Sequence, residues 1–436
     1  MPTTLVVLLA WGLAMVPVRA VGAAEPAIVG QYVGPGSCAA QNCHGSIRPG
    51  INSKTTALQN EYVTWHNGDR HAKAYDVLKE PRSIAIARRL GMPAAPSASP
   101  KCLDCHTTNV PKEVRGAKFG IEDGVTCESC HGPAGGWLAR HTQERWTAAR
   151  PNAVDRLGLV DTTRPEVAAR ACMGCHYGNA EKVVDHAMLA AGHPPLVFEL
   201  DTFGANMEVH WKRHAGNEAW FRGGAWAAGQ AVALREAAAQ LGRQRSATGW
   251  PEFSRYDCYA CHHDIGRDRE GNWTVRGTGG IPQVDGSRWS GVPVLAGVVA
   301  PTQDRQVREA IARLEMLVAE GQGAEAAPAA SDASVLAESV LRETRAGALD
   351  RKEIESVLAT LTSPVSGTPT FRDAQQKAWG IDAMVAARAA ANGSPADARV
   401  GEAIARMFAG LETARGYDPA RFRKDVAGVR TALGRL

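Results

Sequence analysis

Ten cysteines in this chain of 436 residues fall into five pairs, and every pair is followed directly by histidine. Four share one spacing: Cys102, Cys105 and His106; Cys127, Cys130 and His131; Cys172, Cys175 and His176; Cys258, Cys261 and His262. The fifth is stretched, with four residues between Cys38 and Cys43 before His44. C-x-x-C-H is the attachment signature of c-type haem: two thiols add to the vinyl groups and the adjacent imidazole binds the iron. The short spacer keeps both sulfurs at one porphyrin edge while the next side chain swings under the metal. The pattern predicts five covalently attached haem c groups.

Other chemistries use the same cysteines. Cys102/Cys105 with Cys127/Cys130 has the form of a zinc ribbon, and a C-x-x-C can be a redox dithiol. Neither explains the histidines. With 13 His in the chain, five of five pairs followed by His is a coincidence of roughly one in forty million. For Cys38–His44 the alternative is zinc or a disulfide.

The far face of each iron decides function: a second His closes it for electron transfer, and an open face admits a small molecule. Setting aside the motif histidines leaves His66, His71, His141, His186, His193, His210, His214 and His263. His71 opens a helix and is followed by Ala72, which lets a porphyrin approach, so it reads as a distal ligand. His66 points elsewhere and reads as a surface or supporting residue. His141 follows the Gly/Pro turn after His131, which sends it toward a neighbouring haem. His186 and His193 are seven apart and so could share a helical face, with Pro194 ending the helix at His193. His210 and His214 are an i, i+4 pair, read as one ligand and one exposed His. His263 cannot reach the iron of His262 and reads as a supporting or surface residue.

The elements that must carry these groups are only partly regular. Cys and His stop at His263, and nine of the 11 Trp lie between Trp65 and Trp289. Residues 25–285 are therefore read as the haem domain, mainly α with extensive loops because the haems themselves form much of the core. Residues 295–436 are read as an Ala-rich helical bundle. Helix-period apolar residues mark Arg305–Glu320, Ala333–Ala346, Lys352–Leu361, Phe371–Ala391, Arg399–Ala414 and Pro419–Leu433. Gly321–Ser331 reads as a linker, and Asp350 as an N-cap. Residues 1–24, with an apolar run from Leu5 to Val18, read as a signal peptide; an uncleaved anchor is the alternative. No later stretch is apolar enough to span a bilayer, so a periplasmic location is expected. The formal charge of +4 comes from scattered Lys and Arg and is no nucleic-acid signal.

The strings WHNGDRHAKAY, GVTCESCHGPAGGWLARH, DHAMLAAGHPPLVFEL and YDCYACHHDI resemble the multihaem cytochromes related to cytochrome c554, over about residues 34–265. The resemblance implies bis-His haems in close stacked pairs, with distal ligands at His71, His141, His186, His193 and His210. It departs in having five sites where the tetrahaem relatives have four, one of theirs being five-coordinate, and in its helical tail. The expected function is electron transfer between redox partners, such as a quinol- or N/S-oxidoreductase or another cytochrome, with an oligomer or a docking role for the tail left open. The alternative is a haem enzyme acting on a small nitrogen or sulfur oxyanion, with His66, His214, His263 and Arg70 available for protons or anions.

Overall fold

The structure, a computed structural model, describes residues 30–50, 57–143, 145–212, 218–244, 252–256, 258, 262, 265–267, 273–275, 284–344, 349–364, 369–393 and 395–434. The expected signal peptide, Cys261, His214 and His263 lie outside the described residues.

As expected, the fold is mainly α with extensive loops. The first half is a chain of short helices: α1 (Glu61–Gly68), α2 (Pro81–Arg89), α3 (Pro100–His106), α4 (Cys127–His131), α5 (Trp146–Leu157), α6 (Pro165–His176), α7 (His186–Ala191) and α8 (Leu200–Ala205), interspersed with 3-10 turns. Prolines open α2, α3 and α6, where the missing N–H costs nothing. Long α9 (Glu218–Gln244) follows. A short antiparallel ribbon pairs β1 (Ile265–Arg267) with β2 (Trp273–Val275).

The remainder is helical: α10 (Val292–Val299), α11 (Asp304–Ala319), α12 (Gly323–Glu343), α13 (Arg351–Leu361), α14 (Phe371–Ala391), α15 (Ala398–Ala409) and α16 (Pro419–Leu433). The bounds of α14 and α16 coincide with those expected. Asp350 caps α13 in a reciprocal box with Glu353. The expected linker Gly321–Ser331 is corrected: most of it is the first half of α12. Three of its alanines, Ala326, Ala329 and Ala330, begin a buried seam that Ala333 and Ala337 continue, each at most 2% exposed. Alanine is the best helix former, and the small side chains let α12 lie close against α9, whose facing side is also rich in Ala.

One continuous apolar core runs from Ala169, Met173 and Tyr177 through α9 to Val429. Helix α9 touches α6 on one side and α12 and α14 on others. The attachment helix α6 therefore rests on the same scaffold as the C-terminal helices.

Candidate functional site

Three attachment motifs end a helix: α3, α4 and α6 close on His106, His131 and His176. Residues i, i+3 and i+4 share a helical face, so each motif presents two thiols and an imidazole side by side. The stretched motif uses a turn instead. His44 N–H donates to the Cys38 carbonyl (3.2 Å), and Gly45 N–H to that of Ala40 (3.0 Å). A side chain at Gly45 would lie 1.9 Å from the Ala39 carbonyl oxygen, so only glycine lets the turn close.

Four motif histidines each have the ring of one further histidine beside them, from elsewhere in the chain. His44 and His141 have ring centroids 6.1 Å apart and planes 12° from parallel. His176 and His71 are 5.7 Å apart at 88°, with their Nε2 atoms 3.4 Å apart. His131 and His210 are 6.5 Å apart at 89°, and His262 and His186 are 6.3 Å apart at 23°. His193 lies close enough to His106 to feel its charge. Two imidazoles bound across one metal, each about 2 Å from it, would bring their nitrogens about 4 Å apart. Among the described residues no cluster of three or more His, Cys, Asp or Glu forms an ion cage. The zinc-ribbon grouping of Cys102/Cys105 with Cys127/Cys130 is thus not assembled. The donor set of opposed imidazole pairs with adjacent thiols fits haem.

One histidine among the described residues, His66, is in none of these pairs. His66 lies on α1, exposed, with its ring over Tyr62 at 5.8 Å. His186 and His193 do not share a helical face. Helix α7 stops at Ala191 because Gly192 adopts a left-handed φ of 110°, two residues before Pro194. His193 therefore lies beyond the helix end, off the face that carries His186. Arg82 and Arg89 donate to the carbonyls of Gly192 (2.7 Å) and Ala191 (2.8 Å), pinning this helix end to α2.

Most Nδ1 atoms have a fixed partner, which sets the tautomer and frees Nε2 for a metal. In His106, His141, His193 and His210 that partner is a backbone carbonyl, of Ala74, Leu138, Pro194 and Glu208. His44 and His71 instead face carboxylates: Glu61 Oε2 at 2.8 Å and Asp69 Oδ1 at 2.9 Å. These carboxylates raise the pKa of His44 and His71. Burial pushes His176 down to about 4, and lowers His141 and His193 as well, which keeps these imidazoles neutral as metal ligation requires. Phe198 stacks on His176 at 5.0 Å.

The sites touch one another. The thiols of Cys38 and Cys127 lie close enough to perturb one another's ionisation, as do those of Cys105 and Cys175. Cys130 and Cys172 interact electrostatically. Lys101 bonds Asp185 (2.9 Å), the residue before His186.

Three acidic residues in this framework were not singled out from sequence. Glu128, 3% exposed, accepts N–H bonds from Val33 (2.9 Å), Gly34 (2.8 Å) and Ala134 (2.8 Å). It ties the segment before Cys38 to the motif it belongs to. The signal was a carboxylate inside the Cys127–His131 spacer. Asp69 was legible as a carboxylate two residues before His71. Glu61 carried no local signal, because its partner His44 is 17 residues away.

Residues 38–132 match the family model described as cytochrome c554 and c-prime. Over this stretch the chain is similar to the c-type cytochromes of that family, which carry covalently bound haem c. Comparison with curated proteins and with solved structures gives no match.

Proposed function

We propose that this chain is an exported, periplasmic pentahaem cytochrome that passes electrons between redox partner proteins through haems closed on both faces. The observation that carries the reading is the histidine pairing: four motif histidines each have another histidine ring beside them, and His193 lies within electrostatic reach of the fifth, His106. The pairs are His44 with His141, His106 with His193, His131 with His210, His176 with His71, and His262 with His186. The thiols of all five Cys pairs, Cys261 included, are assigned to attachment.

Each bound haem supplies an iron that takes up and gives up one electron. The protein's own residues do the rest. The paired imidazoles would hold the iron and would keep water from it. Backbone carbonyls and the carboxylates of Glu61 and Asp69 orient the rings and tune their donor strength. The contacts between motifs favour one order of sites along the chain: Cys38–His44, Cys127–His131, Cys172–His176, Cys102–His106, then Cys258–His262. Glu128 and the thiol contacts keep the steps between neighbours short. Among the described residues no helix is long and apolar enough to cross a membrane.

The test is exposure of the reduced protein to carbon monoxide. Irons closed by two histidines leave the spectrum unchanged. Uptake by one haem or more would instead favour the oxyanion-transforming enzyme, which needs an open iron.

A further inference from the structure

Beside the Cys172–His176 and Cys258–His262 attachment sites lies a cleft with about 310 Å³ of space not filled by atoms, part of it open to solvent. Its polar lining is Tyr177, Gln240, Ser254, Arg255, Arg288 and Arg372. Tyr177 directly follows His176, Arg255 is three residues before Cys258, and Arg372 Nη2 lies 3.5 Å from the Cys258 sulfur.

Arg255 is 5% exposed. Its backbone is anchored at both ends: its N–H donates to the Glu252 carbonyl (2.9 Å) and its carbonyl accepts from Asp285 N–H (2.9 Å). Its side chain has no such anchor. Among the described residues Nε and one terminal nitrogen, Nη2, have no hydrogen-bond partner, and neither do Gln240 Nε2 and Ser254 Oγ in the same cleft. The nearby acids are engaged elsewhere. Asp285 pairs with Arg372 at 2.6 Å, and Glu252 accepts from His186 N–H (2.7 Å) and Ser254 N–H (3.1 Å). Arg288 lies over the Tyr177 ring at 4.4 Å and bonds Gln240 Oε1 at 3.2 Å, adding a second guanidinium. A buried charge with unfilled donors is strongly disfavoured unless a counter-charge arrives. The vacant Nε/Nη2 edge is the one that grips two oxygens of a carboxylate or oxyanion at once.

We propose that this cleft binds an anionic oxygen ligand, a carboxylate or a small inorganic oxyanion, gripped by Arg255 and Arg288. The inference rests on the reading of Cys258–His262 as a haem site. The anion has two sources: a propionate of the haem at that site, or a free oxyanion such as phosphate. In either case the guanidinium charge acts on the haem at Cys258–His262, favours its reduced form and raises its potential.

The experiment is redox potentiometry of the purified holoprotein as wild type, Arg255→Gln, Arg255→Lys and Arg288→Gln, each with and without inorganic phosphate. Arg255→Gln is expected to lower the midpoint of one haem and leave the other four in place, and Arg255→Lys to restore part of the shift. If a propionate is the ligand, the shift is the same with and without phosphate. If a free oxyanion is the ligand, phosphate moves that midpoint in the wild type and not in Arg255→Gln. Unchanged midpoints in both Gln variants, with a wild type indifferent to phosphate, would overturn the proposal. Should Arg255→Gln not fold, Arg288→Gln and the wild-type phosphate response decide in the same way. Intact mass reads the haem count separately. A wild type lacking the haem at Cys258–His262 would overturn the haem reading alone, and calorimetry with phosphate would then decide whether the cleft takes an anion.

Discussion

Replacing Glu61 with Gln removes a carboxylate that sits 2.8 Å from Nδ1 of His44 while keeping nearly its shape. A metal held at the far ring nitrogen lies about 6–7 Å from that carboxylate, given a metal–nitrogen bond of about 2 Å. At an effective dielectric constant of about 20, a unit charge at that distance acts with about 2.5 kcal/mol. A tenfold change in equilibrium constant is about 1.4 kcal/mol, or about 59 mV for one electron, so the full effect is about 100 mV. His44 is 30% and Glu61 16% exposed, and water reaching the pair reduces the effect to on the order of 50–100 mV. The sign is fixed: a negative charge favours the oxidised iron, so Glu61→Gln raises the midpoint of one haem. Spectroelectrochemical titration measures it, with Asp69→Asn expected to raise the midpoint of a different haem. An unmoved midpoint in Glu61→Gln at full haem content would refute the assignment of Glu61 as a potential-setting residue.

Three further outcomes are expected. His210→Ala leaves His131 unopposed, so one haem per chain becomes able to bind carbon monoxide; a difference spectrum showing none would remove His210 as its partner. Gly380→Ala places a carbon 2.8 Å from Trp226 Nε1 and 3.2 Å from Leu361 Cδ1, and overpacking of this kind costs about 1–3 kcal/mol. Denaturant unfolding followed by Trp emission should show that loss, and an unchanged midpoint would argue against the close approach of α9 and α14. Glu199 is buried, and desolvation followed by repulsion from Asp201 pushes its carboxyl up to about 7. Its folded-state pKa exceeds its unfolded value, so the folded chain holds the extra proton and stability falls as pH rises from about 4.5 to 7. Glu199→Gln should flatten that slope, and an unaltered stability–pH curve would show that Glu199 is ionised in the fold.

What the sequence made legible follows from range. The Cys-x-x-Cys-His spacing is local, so α3, α4 and α6 could be placed on their attachment residues from the string alone. The ends of α14 and α16 were equally legible, because capping by Thr370 and by Asp418 with Pro419 acts within one turn. His71 reads as a distal ligand from its own surroundings, but the full set of five rests on resemblance, and pairing them is beyond sequence: His71 and His176 are separated by 105 positions. The error at Gly321–Ser331 has the same root. Read singly, its alanines, glycines and Pro328 carry no apolar period, and only the equally small face of α9 makes them a buried seam. The shared face that a seven-residue spacing allows for His186 and His193 is not used, because the left-handed φ of Gly192 ends the helix two positions before the proline. Arg255 went unnoticed because a lone arginine has no pattern, and its meaning lies in the missing partners around it.

The central claim is that every motif histidine has an opposing histidine and that five irons are closed. Spin-quantified electron paramagnetic resonance of the fully oxidised, exported protein, normalised to chain concentration, tests it most directly. The account predicts five low-spin irons per chain and no high-spin signal. Fewer than five irons, or a stoichiometric high-spin signal, would contradict it.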